Sequence, residues 1–114
     1  MDKRITQDAE YLICVLYDAY RLRRKNGELA EDAKMFGGSE NIQEKYIPEW
    51  PTNDIDEAAR ELFRKELMGG LFADDSLHFG VLTDEGIVYM EHQFGDKLDR
   101  LAQRIAALRT AIFG

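Results

Sequence analysis

Three side chains in this sequence, His78, His92 and Cys14, have the chemistry to hold a metal ion or to act in nucleophilic catalysis. Neither histidine stands at a metal-binding spacing such as His-x-x-x-His, and the lone cysteine cannot form a Cys-x-x-Cys pair. Cys14 falls within an apolar helical pattern that is typical of a small core residue, and no histidine is placed to activate its thiol. We expect His78 on the outward face of a strand and His92 on a helix surface, so no metal site is predicted.

Glycine pairs and paired acids are the other patterns that resemble functional motifs. The pairs in "FGG" and "MGG" lack the Lys-Ser/Thr that follows a phosphate-binding loop, so we interpret them as helix ends. The pair Asp74-Asp75 is common in turns and needs no catalytic explanation. We therefore expect a protein that is not an enzyme and uses no cofactor.

Charge is distributed unevenly along the 114 residues, whose net charge is −7. Residues 28–57 carry nine acids against two Lys/Arg, and residues 69–93 carry five acids and no Lys/Arg. A nucleic-acid-binding protein usually gathers positive charge on one face, whereas here it lies at the two ends and in one short central segment. This acidity argues against tight non-specific DNA binding but leaves room for a local basic patch.

Size and composition indicate one compact domain over residues 1–114, because 45% of the residues are apolar and can form a core. No apolar run approaches the roughly 20 residues that span a bilayer. The opening residues "MDKRITQDAE" carry acids where a signal peptide has an apolar region, and a single cysteine suits a reducing compartment. We expect a cytoplasmic protein.

The helices that position these side chains are predicted from apolar spacing. The first runs from about Thr6, its N-cap, to Lys25, and Asn26-Gly27 form its left-handed stop. Its last turn gathers basic residues against the negative end of the helix dipole: Arg21, Arg23, Arg24 and Lys25. Two short helices are expected next, "ELAEDAKMFGG" closed by Gly37-Gly38 and "SENIQEKYI" capped by Ser39. Trp50, between two prolines, is expected to be a buried anchor.

A further helix is predicted from Asp54, as N-cap with Glu57 three residues later, to a stop at Gly69-Gly70. Its apolar stripe contains Ile55, Ala58, Ala59, Leu62, Phe63 and Leu67. A hairpin of "LFAD" and "LHFGVL" around the turn "ADDS" follows, and the alternation of Leu77, Phe79 and Val81 indicates a half-buried strand.

The C-terminal third is predicted to be helical, with Thr83 as N-cap and Gly86 allowing close packing at the helix start. Gly95 interrupts the apolar pattern, so we expect a bend or two abutting helices there. Beyond it the apolar steps approximate a heptad seam: Leu98, Leu101, Ile105, Leu108 and Ile112.

The order of these elements, with "GGLF", a short hairpin and "LTDEGIVYME", resembles a winged helix-turn-helix domain. The resemblance implies a mainly α fold with a small β-hairpin, of α+β class, and a long C-terminal helix. The form Leu-Thr-x-x-Gly-x-x-Tyr, which often opens the helix after the wing, is met by Leu82, Thr83, Gly86 and Tyr89. The segments "MFGGSE", "IPEW" and "NDIDEAARELFRKELMGGLFADD" are also similar to small winged-helix proteins of Gram-positive bacteria and their phages and mobile elements.

The resemblance makes the helix before the hairpin a recognition helix, with Arg60, Arg64 and Lys65 as candidate DNA contacts. The alternative is that these cations are solvated partners of neighbouring glutamates at helical spacing. The wing departs from the DNA-binding pattern, because the tip at Asp74-Asp75 would repel a phosphate backbone.

Two functions remain open for such a domain. One is a DNA-binding transcriptional regulator; the other is a protein-interaction module that uses the acidic loop 28–57 or the wing as its contact surface. We also expect a two-fold symmetric homodimer through residues 94–114 and part of the first helix, with the seam Leu98, Leu101, Ile105, Leu108 and Ile112 in the interface. The same seam could instead fold back on the first helix of its own chain.

Overall fold

A computed structural model describes residues 4–114, and those residues form six helices and a small antiparallel sheet of three strands. In chain order the elements are α1 (Gln7–Lys25), α2 (Ala30–Ala33), β1 (Met35–Phe36), α3 (Ser39–Tyr46), α4 (Thr52–Arg64), β2 (Met68–Ala73), β3 (Ser76–Leu82), α5 (Asp84–Phe94) and α6 (Leu98–Phe113). The predicted α+β class and the long C-terminal helix are confirmed. No helix in this described range is long and apolar enough to cross a bilayer. The signal-peptide argument rests partly on residues 1–3, which lie outside the described residues.

Helix α1 is the centre of the fold, as its broad apolar pattern predicts. The Thr6 hydroxyl accepts a hydrogen bond from the Ala9 N–H at 3.3 Å, and Gly27 has a φ of +93°, so both predicted ends are confirmed. Four consecutive residues of α1, 11–14, are buried, so this part of the helix is surrounded by other elements. The buried residues are Ala9, Tyr11, Leu12, Ile13, Cys14, Leu16 and Tyr17.

The segment between α1 and α3 differs from the sequence prediction. Helix α2 is a single turn, and Met35 and Phe36 form strand β1, which pairs with Val81 and Gly80 of β3. The tertiary pairing therefore overrides the local helical pattern before Gly37-Gly38. Helix α3 does form.

Ser39 is not the cap of α3. Gly38 occupies the N-cap position, and Ser39 is buried with its hydroxyl 3.4 Å from that of Ser76. The prediction for Trp50 is confirmed, because its side chain is buried and packs edge-on against Tyr11 and Phe113.

Both predicted ends of α4 are wrong. The helix begins at Thr52 after Pro51, so Asp54 lies inside the first turn instead of capping it. It ends at Arg64, and Glu66, not the predicted Gly69-Gly70, takes the left-handed conformation, with a φ of +63°. Those two glycines belong to β2, where the hairpin requires Gly70: a Cβ on Gly70 would lie 2.2 Å from the Phe79 carbonyl oxygen.

The sheet has the strand order β1–β3–β2, and one irregularity decides which side chains reach the core. Leu71 pairs with Phe79 and Phe72 with Leu77, so His78 is an extra residue on β3. An extra residue moves the following side chains to the opposite face. The predicted alternation is therefore wrong beyond His78: Leu77 is buried, but Phe79 is 41% exposed.

The connection from the sheet to the C-terminal helices follows the prediction. The Thr83 hydroxyl accepts from the Gly86 N–H at 2.9 Å. A Cβ on Gly86 would lie 2.2 Å from the Leu67 carbonyl oxygen, so this helix start does pack closely. Gly95, with a φ of +54°, separates α5 from α6.

The apolar seam of α6 packs on α1 within the chain. Leu101 and Leu108 are buried, and Ile105 and Ile112 are partly buried against the same core. Leu98 is 46% exposed, and Ala102 and Ala106 are exposed beside the seam. The two central leucines therefore belong to the intrachain core, and only the margin of the seam remains open to a second chain.

Candidate nucleic-acid interface

The three candidate cations lie in the last two turns of α4 and at its end, beside the hairpin. Arg64 is exposed, and within residues 4–114 its guanidinium makes no hydrogen bond or ion pair. Lys65 is half-buried at the C-cap position. Because Arg60 and Arg64 are four residues apart in a helix, their side chains lie on the same face.

Arg60 is tied to the hairpin. Its guanidinium lies 5.0 Å from the centre of the Phe72 ring, and its Nη2 donates to the Asp75 carbonyl at 2.8 Å. Phe72 in turn packs edge-on against Phe63, with ring centres 4.8 Å apart. Arg60 therefore holds the hairpin tip against α4, and only its remaining N–H groups are available to a ligand.

Acidic side chains crowd the side of the same helix that faces α1. Asp54, Glu57 and Glu61 face Asp8 across a shallow cleft between α4 and the start of α1. Burial first, and then the neighbouring carboxylates Asp54, Glu61 and Glu57, raise the pKa of Asp8. The Glu61 carboxylate is fixed here because it accepts from both the Thr6 N–H and the Thr6 hydroxyl at 2.7 Å. A phosphate group would be repelled from this side of α4.

One residue that positions the hairpin, Asp56, was not predicted from the sequence. This carboxylate is buried, accepts from the Leu77 N–H at 2.9 Å and lies 3.5 Å from the Ser76 hydroxyl. It thus joins the buried face of α4 to the first residues of β3. The available signal was an acid next to Ile55 on the buried side of an otherwise amphipathic helix, since such an acid needs donors from another element.

The basic end of α1 is not part of this surface, because its arginines are engaged in the fold. Arg23 donates to the Met35 carbonyl at 2.6 Å and to the Tyr46 hydroxyl at 2.9 Å, and it stacks over Phe36. Arg21 donates to the Gly95 carbonyl. Arg24 donates to the Glu28 carbonyl at 2.8 Å and remains exposed.

The remaining candidate groups are Cys14, His78 and His92. Cys14 is buried, and that burial raises the pKa of its thiol to about 12, so the thiolate is scarce at neutral pH. His78 and His92 are exposed. Across residues 4–114, no three His, Cys, Asp or Glu side chains form a group that could hold a metal ion.

Comparisons of the chain with protein-family models, with curated proteins and with solved structures find no match. The roles of its residues are therefore inferred from the geometry of this chain. Beside the acidic hairpin tip, Arg64 is exposed, Arg60 is partly engaged and Lys65 is half-buried.

Proposed function

We propose that the chain is a winged helix-turn-helix protein that binds DNA as a cytoplasmic transcriptional regulator, without catalytic activity or a cofactor. The order α1, β1, α3, α4, β2, β3 supports this proposal, because a helix pair precedes a hairpin and the second helix packs on that hairpin. In this assignment α4 is the recognition helix and the β2–β3 hairpin is the wing.

The observation that carries the proposal is the open guanidinium of Arg64 on the outward face of α4. A guanidinium without an internal partner can bind a phosphate, or the O6 and N7 atoms of guanine, in a bidentate manner. Arg60, one turn earlier, adds donors beside the hairpin. The DNA-contacting surface is therefore the second half of α4.

The acidic first half of α4 shapes the expected binding mode. Asp54 and Glu57 repel phosphates, so the helix would enter the major groove with its C-terminal half closer to the backbone. Asp74 and Asp75 at the wing tip also keep the wing out of the minor groove. We therefore expect few phosphate contacts and a shallow dependence of affinity on salt.

A fluorescence-anisotropy titration with mixed-sequence duplex DNA at low and moderate salt tests this function. We expect weak binding that decreases with salt and that Arg64→Ala weakens. Arg24→Ala is the matched control, because Arg24 is also exposed but lies on α1. Equal affinity in wild type and the Arg64 variant would remove α4 from the binding surface.

A second candidate function, a protein-interaction module on the same scaffold, is favoured by the acidic cleft at Asp8, Asp54, Glu57 and Glu61. Crowded carboxylates suit a basic protein surface better than a nucleic acid. The acidic loop 28–57 and the hairpin would supply the contact surface. Absence of DNA binding at low salt, with retained folding, would favour this function over the regulator.

We also propose a homodimer through the open margin of α6. Leu98 and Phe113 are 46% and 37% exposed, and Ala102 and Ala106 lie on the outer side of the helix where a second helix could approach. Leu98→Glu with Ala102→Glu places charge on this margin without disturbing the buried seam. Light scattering should show a dimer mass for the wild type and a monomer mass for the variant; a monomeric wild type contradicts the proposal.

A further inference from the structure

The sheet face that points away from α4, called the outer sheet face here, carries four apolar side chains. Met35 pairs with Val81, Leu71 pairs with Phe79, and paired residues of antiparallel strands point to the same face. Met35 and Leu71 are each 50% exposed and Phe79 is 41% exposed, while Val81 is partly covered. A contiguous exposed apolar patch of this kind marks an interaction surface.

The core does not require this patch. Phe72, Leu77 and Leu82 occupy the inner face of the hairpin and are the residues that pack against the helices. The extra residue His78 is what turns Phe79 outward. The exposure of the outer sheet face therefore follows from the hairpin geometry. None of its four apolar side chains is fully buried.

The edge beside this face is open to strand addition. β2 is an outermost strand of the sheet, with β3 on one side and no strand on the other within residues 4–114. The six residues of β2, "MGGLFA", contain neither proline nor lysine, the residues that usually protect an edge. Gly69-Gly70 present no side chains, so another backbone can approach closely.

Charge selects the chemistry of the segment that would bind. The hairpin tip carries Asp74-Asp75, and Glu66 and Asp84 lie at its base, so acids stand at both ends of β2. Lys34 pairs with Asp84 at 3.1 Å, but residues 69–93 contain no Lys or Arg. A complementary segment is apolar in the middle and basic at its ends.

We propose that the β2 edge and the outer sheet face bind an extended segment of a partner protein, with alternating apolar side chains flanked by Lys or Arg. The segment adds a fourth strand beside β2, so that its main chain supplies hydrogen bonds and its alternate side chains cover Leu71 and Phe79. This site lies opposite the face that packs on α4, so it is separate from the proposed DNA surface. Occupied together, the two surfaces would connect DNA to a second protein.

The test uses a short fluorescent peptide with alternating valine and threonine between pairs of lysines, titrated into the whole chain and followed by anisotropy. Leu71→Thr with Phe79→Thr should weaken binding by about tenfold or more, since threonine keeps strand propensity but removes apolar area. Asp74→Asn with Asp75→Asn should weaken it by a smaller factor. Asparagine tolerates the left-handed conformation that both aspartates adopt, so the turn is preserved.

Leu22→Gln with Leu29→Gln is the matched control, because both leucines are highly exposed but lie outside the sheet. This variant should bind the peptide as the wild type does. On the unmodified chain, amide hydrogen exchange should slow in residues 68–73 when the peptide is bound. That readout holds even where a sheet variant does not fold.

Several results would overturn the proposal. Equal affinity for a peptide with glutamate ends would remove the charge argument, and no binding at millimolar peptide would remove the site. A dimer mass that the Leu71 and Phe79 substitutions abolish would assign the face to a second copy of the chain. Displacement of the peptide by duplex DNA would assign it to nucleic acid.

Discussion

Arginines and leucines occur both in the α1–α6 helix pair and in α4 with its hairpin. In the helix pair they contact other residues of the chain, whereas in α4 and the hairpin some of them are exposed to solvent. Between α1 and α6, Arg104 donates to both carboxylate oxygens of Glu10. Arg109 of α6 binds Glu49, in the loop before α4, at 2.7 Å. On α4, Arg64 has no such partner among residues 4–114. Apolar residues differ in the same way: Leu101 is buried, whereas Leu71 of the hairpin is half exposed.

This difference separates the scaffold from the contact surface. Where arginines are held by carbonyls, carboxylates and rings, positive charge serves the fold and is not available to a phosphate. Where a cation or an apolar side chain has no internal partner, it faces solvent and is available to a ligand. Counting cations along the sequence cannot make this distinction, because α1 has more arginines than α4.

The largest expected effect is in the scaffold. Leu101→Glu with Leu108→Glu buries two charges in the α1–α6 core and should prevent folding, at a cost above about 5 kcal/mol. Circular dichroism should show loss of helix. Leu98→Glu, on the exposed margin, should cost less than about 0.5 kcal/mol. A folded double variant would show that the seam is not an intrachain core.

Arg23→Ala should have the next largest effect on stability. It removes three hydrogen bonds, to the Ala33 and Met35 carbonyls and to the Tyr46 hydroxyl, and the stacking on Phe36. We expect a loss of about 1–3 kcal/mol in the free energy of unfolding, measured by urea denaturation. DNA affinity of the folded variant should not change. A loss of DNA affinity without a loss of stability would move the basic end of α1 from the scaffold to the contact surface.

Arg64→Ala should behave in the opposite way. We expect the free energy of unfolding to change by less than about 0.5 kcal/mol, because the side chain has no partner in the described chain. Binding to DNA should weaken by about 1–3 kcal/mol. Unfolding and titration experiments on the same preparation check both values. A destabilised variant would show that Arg64 belongs to the fold.

Asp8→Asn should have the smallest effect and should be stabilising near neutral pH. Burial and three nearby carboxylates raise the pKa of Asp8, so the folded state disfavours its charged form. That penalty is absent below the unfolded-state pKa and grows as pH rises through the folded-state pKa. Because Asp8 is exposed, we expect a gain below about 1 kcal/mol.

Denaturation at about pH 7 and about pH 3 checks the sign of the Asp8 effect. The gain should vanish at the acidic pH, where wild-type Asp8 is itself protonated. The same substitution should slightly raise affinity for DNA by removing one repulsive charge from the α4 surface. A variant that is less stable than the wild type near neutral pH would contradict the like-charge account of this cleft.

The sequence predicts the elements with strong local signals and misses those that depend on distant partners. Thr6, Thr83 and Gly95 act within one turn of their own helix, so the ends they mark follow from the sequence. Strand β1 exists only because β3 lies beside it, and its two residues carry no periodic pattern of their own. The end of α4 was predicted at Gly69-Gly70 because a glycine pair does not reveal whether a helix or a sheet requires it.

The candidate surface was predicted only in part. The spacing of Arg60 and Arg64 places both on one face of a helix, and the structure retains that placement. The engagement of Arg60 by Phe72 and Asp75 depends on hairpin packing that no local pattern encodes. The outward orientation of the Phe79 side chain could likewise not be predicted, because the extra residue His78 reverses the alternation of buried and exposed side chains along β3.

Nuclear magnetic resonance mapping with a mixed-sequence DNA duplex tests the central claim most directly, because it locates the contact surface residue by residue. We expect the amide signals of residues 60–65 to shift as DNA is added. Signals near Asp8 and along the α1–α6 pair should stay in place. Shifts confined to residues 21–25, or no shifts at millimolar duplex and low salt, would contradict the claim that α4 is the DNA-contacting helix.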